Sequence, residues 1–226
     1  MNPAAQTITL LLADARLPSG GHAFSSGLEP ALQGGLAPRQ VAAFLRARAR
    51  TTTLVDAAVA VVARHIAQAD APSFDALERA WAARTPSAAA RHASRELGRG
   101  FLRLARGLWP ESASIAAVVS MASGSGVPRP IVLGAVAAHA EVDAETLVRL
   151  AVYDDMACAV AALLKLEPGD PVEGARLVLD ACESVDPLVP HLAIITSPDA
   201  IPASSAPQSE AWTEAHAASN RRLFRA

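Results

Sequence analysis

Aromatic side chains are scarce in this chain of 226 residues, in which Phe, Trp and Tyr together make up 4%. Hydrophobic residues nevertheless reach 51%, and alanine is abundant throughout. A core of small and branched aliphatic side chains suits closely packed helices better than sheets. A hydrophobic chain of this length also builds a sizeable core. We therefore predict an all-α, single-domain irregular bundle of about ten helices.

Cysteine is almost absent, with only Cys158 and Cys182, and neither belongs to a C-x-x-C pair. Two distant cysteines exclude a disulfide framework and a structural zinc site of the usual spacing. Free cysteine is among the most often buried residue types. We expect both to be small core residues.

Long apolar runs are also missing, and the nearest one, positions 112–127, is diluted by serine and glycine and followed by Pro128. It is too polar and too short for a membrane span. The N-terminus has neither a basic n-region nor a small-residue cleavage site. We expect a cytoplasmic protein with no membrane partner.

The net charge of −2 hides a division along the chain. Positions 39–106 hold 12 Arg and 5 acidic residues (+7), whereas positions 111–226 hold 7 basic and 15 acidic residues (−8). Such asymmetry can orient association with a charged partner or a second copy of the chain, or it can reflect two independently solvated surfaces. Nucleic acid is not expected, because the chain is acidic overall and lacks interleaved aromatics for stacking.

Helical periodicity and proline punctuation divide the chain into helices. Pro38 precedes a helix over 41–48, Ser73 is the expected N-cap of the helix that carries Trp81, and Pro86 restarts the chain into a long helix ending near Trp109. The remaining apolar segments do not show the alternation of apolar and polar residues that is typical of strands. Further helices are predicted over 54–68, 128–139, 143–165 and 171–184.

The C-terminal part has a different composition. Positions 196–209 are rich in Ser, Pro and Ala, which is typical of a flexible tether. We predict a helical domain over 1–196, then a flexible linker and a partner-binding arm over 197–226. Trp212, Leu223 and Phe224 give the arm apolar anchors, and Arg221, Arg222 and Arg225 give it a positive tip. The alternative, a terminal helix packed on its own core, stays open.

The segment at positions 14–29 reads D-A-R-L-P-S-G-G-H-A-F-S-S-G-L-E. Pro18 fixes its own φ, and Gly20 with Gly21 permits backbone angles closed to other residues, so the loop should have one shape. Asp14 or Ser25 would accept backbone N–H groups in the turn or cap the next helix, whose first turns carry Glu29.

This loop resembles the N-terminal signature of the urease accessory protein UreF family, roughly D-S-x-L-P-x-G-G-F-x-H-S-x-G-L-E. His22 and Phe24 exchange the aromatic and the histidine of that pattern, and Ser26 stands at an often aromatic position. The matching positions are Asp14, Leu17, Pro18, Gly20, Gly21, Ser25, Gly27, Leu28 and Glu29.

A second match closes the chain, where positions 216–226 resemble the family ending H-E-x-L-x-x-R-L-F-R-S. His216 and positions 222–225 agree with it, whereas Ala217 replaces Glu and Ser219 replaces Leu. Weaker matches at 91–98 and 130–134 extend the resemblance over nearly the whole chain.

The resemblance implies a non-catalytic, dimeric accessory protein that bridges a UreD-type (UreH-type) partner and the UreG GTPase, so that nickel enters apo-urease when GTP is hydrolysed. It implies no stably bound cofactor and at most transient passage of nickel through the complex. The residues expected to bind the UreD-type partner are Trp212, His216, Arg222, Leu223, Phe224 and Arg225. The residues expected to bind UreG are Asp14, Pro18, Gly20, Gly21, Ser25, Gly27, Leu28, Glu29 and Arg91.

Three other functions stay open at this point. Arg91, Arg95, Arg99 and Arg103 repeat every four residues and form a positive helix stripe, either a solvated face or a source of an arginine that regulates the GTPase. The loop also contains an Asp, a His and a Ser, but no G-x-S-x-G elbow surrounds the serine, which argues against an enzyme. The third is a generic helical interaction domain.

Metal and nucleotide sites are not indicated either. None of the six histidines pairs with another at i, i+3 or i+4, so one chain should lack a preformed nickel site, although a weak site across a symmetric dimer stays open. The glycine-rich segment 122–126 is not followed by G-K-[ST], so the chain should not hydrolyse GTP alone. Asp154 lies on a predicted apolar stripe and needs an ion-pair partner or a groove edge, or else guides cations.

Overall fold

The computed structural model describes residues 3–122, 124, 126–220 and 222–225. Within these residues the chain forms twelve α-helices and no strand, which confirms the predicted all-α fold. The helices are α1 (Pro3–Ala13), α2 (Leu28–Gln33), α3 (Val41–Ala49), α4 (Thr52–Ala67), α5 (Asp75–Arg84), α6 (Ala88–Leu108), α7 (Ala113–Met121), α8 (Arg129–His139), α9 (Ala144–Leu166), α10 (Pro171–Glu183), α11 (Val189–Ala193) and α12 (Pro207–Ala217).

Helix α4 is the centre of the fold. Every residue from Thr53 to Ala63 is buried except Asp56, and a helix that is apolar on all sides belongs in a core. It packs most extensively against α8 and also contacts α9. The two helices α4 and α8 approach closely because Gly134 has no side chain: a Cβ there would overlap the carbonyl oxygen of Ala60.

The start of α5 differs from the sequence prediction by one residue. The N-cap is Phe74, and no side chain caps this helix, so Ser73 is not the cap that its position suggests. By contrast, the long helix after Pro86 forms as predicted. Its N-cap is Ser87, whose Oγ accepts the N–H of Ala90 at 3.0 Å.

The C-terminal segment lies on the helical body. Helix α12 contacts α2 and α6, and the indole of Trp212 occupies the space left by the missing side chain of Gly34. Phe224 is buried, and Ile201 in the preceding segment is buried too, with its carbonyl accepting Arg84 Nε at 2.9 Å. Of the two arrangements that the sequence left open, a flexible arm and a packed terminal helix, the structure has the packed one. Of the three apolar anchors expected to wait for a partner, Trp212 and Phe224 pack on their own chain, whereas Leu223 is exposed.

The described helices include none that combines the length and the apolar character needed to cross a bilayer. The Arg221 of the predicted basic tip and the serines of the glycine-rich segment, Ser123 and Ser125, lie outside the described residues.

Two glycines in helices give a matched test of this packing. We predict that Gly134→Ala lowers the free energy of unfolding by about 1–3 kcal/mol, because the new methyl group meets the backbone of α4. Gly107→Ala, where nothing lies within 4 Å of a new Cβ, should raise it by up to about 1 kcal/mol through helix propensity. Urea unfolding followed by circular dichroism measures both, and equal stabilities of the two variants would contradict close α4–α8 contact.

Candidate functional site

The loop at residues 14–27 is held by its own polar groups. Asp14 Oδ1 accepts the backbone N–H of Arg16 at 2.9 Å, and the Arg16 guanidinium binds both carboxylate oxygens. These hydrogen bonds lower the pKa of Asp14 to about 2. Gly20 and Gly27 have φ values of 88° and 76°, in the left-handed region that favours glycine. The loop therefore requires glycine at two of the positions that match the family pattern.

Ser25 has a structural position. It is fully buried, and its Oγ accepts the N–H of Glu29 at 3.2 Å at the start of α2. Asp14 is paired with Arg16 and His22 is exposed, so the structure gives Asp14 and Ser25 of the suggested hydrolytic set separate partners and leaves the serine inaccessible. This arrangement does not match a nucleophile activated by a base.

Glu29 joins the two ends of the chain. Its carboxylate is 3% exposed; Oε1 accepts the N–H of Leu223 at 2.7 Å, and Oε2 accepts the N–H of Phe224 at 2.8 Å. His216 Nε2 lies 3.1 Å from Oε2, a close contact that is not a hydrogen bond. A buried carboxylate is stable only when its oxygens are satisfied in this way. One residue of the first motif thus accepts hydrogen bonds from two residues of the second and lies against a third.

Further contacts fix the last residues beside the loop. Arg225 donates its N–H to Ala23 O at 2.8 Å, and its guanidinium lies 3.1 Å from Glu96 of α6. The ammonium of Lys165 lies 5.3 Å from the centre of the Phe224 ring, within cation–π distance. The predicted UreD-type and UreG-type surfaces, which are separate in sequence, are therefore neighbours.

The residues expected to bind the UreD-type partner divide into two groups. His216 and Phe224 are buried and Trp212 is half-buried, so they make contacts within the chain. Leu223 is 66% exposed, and it is flanked by the exposed Arg222 and Arg225. Of the residues expected to bind this partner, the exposed ones are therefore Arg222, Leu223 and Arg225.

The loop residues expected to bind UreG also differ in exposure. Pro18 is exposed, and the half-buried members are Asp14, Gly20, Gly21 and Gly27. Leu28 is a fully buried core residue, like Ser25. Arg91 lies on α6, where its Nη1 donates to the carbonyl oxygens of Thr85 and Pro86.

The arginines of α6 do not form a uniform solvated stripe. Arg95 binds Glu78 at 2.9 Å, lies 5.1 Å from the Trp81 ring centre and has a side chain only 20% exposed. Arg99 pairs with Glu96, whereas Arg103 is exposed. The predicted periodicity is present, but neighbouring helices cover part of the face.

A cavity of about 410 Å³ lies behind the loop and contains charged groups that the sequence analysis largely missed. Arg129 pairs with Asp154 at 2.6 Å, which gives Asp154 the ion-pair partner it needs. Arg48 pairs with Asp155 at 2.8 Å. Asp56 accepts Trp81 Nε1–H at 3.1 Å. Asp56 could have been singled out from the sequence, because it is the one charged residue within the apolar run of α4.

Asp56 has an unusual ionisation. Burial and the nearby charge of Asp155 raise its pKa to about 6, against the opposing effects of the Trp81 hydrogen bond and the charges of Arg48 and Arg129. The three carboxylates of this cluster face two guanidinium groups, so one negative charge is left without a cationic partner among them.

Among the described residues, no group of three or more His, Cys, Asp or Glu side chains is placed to hold a metal ion. His216 lies against Glu29, and His139 packs against the ring of Trp109 at 5.4 Å. Cys158 and Cys182 are free and half-buried, and burial raises the pKa of both thiols.

These features define a class: a helical protein whose candidate site is a contact surface built from both ends of the chain.

A profile of the UreF family matches residues 37–182. The chain is 38% identical to a urease accessory protein UreF of Mycobacterium marinum over 77% of this chain and 79% of that protein, and 37% identical to one of Mycolicibacterium vanbaalenii over 81% and 91%. A shorter match to UreF of Mycobacterium bovis reaches 45% over 46% of this chain and 49% of that protein. The chain belongs to the UreF family of urease accessory proteins.

We predict that stability depends on pH through Asp56. Its folded-state pKa lies above the ordinary 3.8, so between about pH 4 and pH 6 the folded protein binds a proton that the unfolded chain has lost. The contribution of Asp56 to the free energy of unfolding is therefore lost as the pH rises through that window. Asp56→Asn should raise the free energy of unfolding at pH 8 by about 2 kcal/mol and lose this advantage below pH 4. Urea unfolding at both pH values measures it.

The exposed Asp70 is the matched control for that substitution, and Asp70→Asn should change stability little at either pH. A pH-independent effect of Asp56→Asn would show that its carboxyl is not protonated preferentially in the fold.

Glu29→Gln should release the C-terminal segment. The amide offers only one acceptor oxygen and turns a donor toward backbone N–H groups that need acceptors, which costs about 2–3 kcal/mol. Tryptic cleavage after Arg222 should become at least tenfold faster, and the free energy of unfolding should fall. Glu173→Gln on the exposed face of α10 is the control and should change neither. Unchanged cleavage in Glu29→Gln would contradict the role given to Glu29.

Proposed function

We propose that this chain bridges a UreD-type partner and a UreG-type GTPase and thereby directs nickel into apo-urease when GTP is hydrolysed. The observation that carries the proposal is the joining of both family motifs at the buried Glu29. In this proposal the chain is an adaptor without catalytic residues or a resident cofactor. It acts as a homodimer in the cytoplasm, and nickel is the cargo of the complex.

The exposed tip supports contact with the UreD-type partner. Leu223 presents an apolar side chain between the positive charges of Arg222 and Arg225. Arginine is enriched in protein interfaces and among the residues that contribute most to binding energy. Phe224 and His216 support this tip from below, since they fix the backbone that carries it.

The loop supports contact with the UreG-type partner. Pro18 and His22 are exposed on a turn whose glycines fix its shape, so little conformational freedom is lost when a partner binds. The loop and the tip share Glu29 and Ala23 as anchors. We expect that a partner which displaces or stabilises the tip changes the affinity of the loop for the other partner, by reciprocal coupling.

A second candidate, regulation of the GTPase rate by an arginine, is favoured by one observation. Arg103 is exposed at the end of the α6 arginine series, whereas Arg91 and Arg95 are held by contacts within the chain. A regulator changes the rate of GTP hydrolysis when all of the GTPase is bound in the complex. An adaptor leaves that rate unchanged.

The test is reconstitution of urease from its apo form with the UreD-type partner, the UreG-type GTPase, nickel and GTP, with and without this chain. We predict nickel-loaded, active urease with the chain and folded but nickel-poor urease without it. Leu223→Asp should weaken co-purification of the UreD-type partner at least tenfold. Leu179→Asp, at a residue of similar exposure on α10, is the control. Equal nickel content with and without the chain would refute the function, and equal effects of the two variants would refute the tip as the contact.

A further inference from the structure

The N-terminal loop lies directly on helix α6. Gly100 of this helix has no side chain, and a Cβ built there would lie 2.2 Å from Ser19 O and 3.2 Å from the carbonyl carbon of the same residue. Both of these atoms belong to the backbone of the loop, so no change of rotamer makes room for a methyl group. The close approach of the loop to α6 therefore requires glycine at position 100.

The C-terminal tip, residues 222–225, reaches the same helix one turn earlier. The guanidinium of Arg225 lies 3.1 Å from a carboxylate oxygen of Glu96, which also pairs with Arg99. Glu96 and Gly100 are four residues apart, so they are neighbours on the surface of the helix. Helix α6 thus joins the loop and the tip at the surface, whereas Glu29 joins them in the interior.

The face of α6 beside the loop is basic. Arg103 follows Gly100 by three residues and so lies on the same side of the helix. Its side chain is exposed, and it takes part in no ion pair within the part of the chain that the structure describes. A surplus of positive charge surrounds the contact between loop and helix. The loop, residues 96–103 and position 225 together hold four arginines against two carboxylates, namely Arg16, Arg99, Arg103 and Arg225 against Asp14 and Glu96.

We propose that the loop and the adjoining face of α6 form one basic surface that binds an acidic face of the UreG-type GTPase, and that Gly100 holds the two parts together. The identity of the partner rests on the proposed function, and its acidic chemistry rests on charge complementarity. Arg91, the residue of α6 that the resemblance assigns to this partner, is held by the carbonyl oxygens of Thr85 and Pro86, whereas Arg103 is exposed. The surface therefore extends along α6 beyond the residues of the family motifs.

The contact between loop and helix has a test that needs no partner. On the other side of the loop, the Cys158 thiol donates toward Phe24 O at 3.3 Å. In a Cys182→Ser background, the rate at which a disulfide reagent labels Cys158 therefore reports how often the loop lifts. Gly100→Ala should raise this rate about fivefold or more, because the methyl group displaces the loop backbone. Gly107→Ala is the control in the same helix, since nothing lies within 4 Å of its new Cβ.

The charge of the surface is tested by binding of the UreG-type GTPase to the complex of this chain with the UreD-type partner. Arg103→Glu should weaken this binding about tenfold at about 50 mM NaCl, and the difference should shrink at about 500 mM NaCl, because salt screens exposed charges. Arg79→Glu makes the same change in net charge at an exposed arginine of α5 and should bind normally. Gly100→Ala should also weaken binding of the GTPase, while the UreD-type partner, which contacts the tip, binds it as before.

These measurements separate a docking surface from a regulatory arginine, because a docking residue changes the affinity and leaves GTP hydrolysis in the fully bound complex unchanged. If Gly100→Ala does not fold, a nuclear Overhauser contact between protons of Gly100 and Ser19 in the unmodified chain decides whether the loop lies on α6. Arg103→Glu then tests the surface.

Equal affinities of Arg103→Glu and Arg79→Glu overturn the proposal, and so do equal labelling rates of Gly100→Ala and Gly107→Ala. Absence of GTPase binding to the unmodified complex overturns it as well. A chain dispensable for nickel loading would refute the proposed function, whereas the labelling rates and the direct binding data would still decide whether this surface exists and what charge it prefers.

Discussion

Glu29 carries a buried carboxylate that accepts the N–H groups of Leu223 and Phe224 and lies against His216. Removing a carboxylate from water is unfavourable unless both oxygens are satisfied, so the loop that places Glu29 and the segment that satisfies it require each other. The two regions are almost two hundred residues apart in sequence. Each makes a defined surface because the other is present.

The helical body positions this contact. Gly134 lets α8 approach α4, and α4 in turn contacts α9, whose Asp155 and Cys158 lie under the loop. Arg48 on α3 and Thr53 on α4 complete the support from below. The small residues of the core thus place a polar layer directly beneath the loop. Burial, together with the nearby charge of Asp155, raises the pKa of Asp56 in this layer.

Much of the fold could be predicted from the sequence, because helix periodicity, prolines and the scarcity of aromatics all indicate closely packed helices. The loop shape was also predictable from Pro18 and the glycines. The packed C-terminal segment was not, since the Ser- and Pro-rich composition of 196–209 indicates a flexible tether and carries no information on the space that Gly34 leaves for Trp212. Asp155 was equally hidden, because its partners Arg48 and Thr53 are over a hundred positions away and no local pattern connects them.

The central claim is that the C-terminal segment is bound to Glu29 in the isolated chain, and amide hydrogen exchange at Leu223 and Phe224 tests it most directly. Both N–H groups donate to a buried carboxylate, so we predict exchange at least a hundredfold slower than in an unstructured peptide. The amide of Ser204, in the segment without helical structure before α12, should exchange faster. Exchange of Leu223 and Phe224 at unstructured rates would contradict the claim and would mean that the segment orders only on a partner.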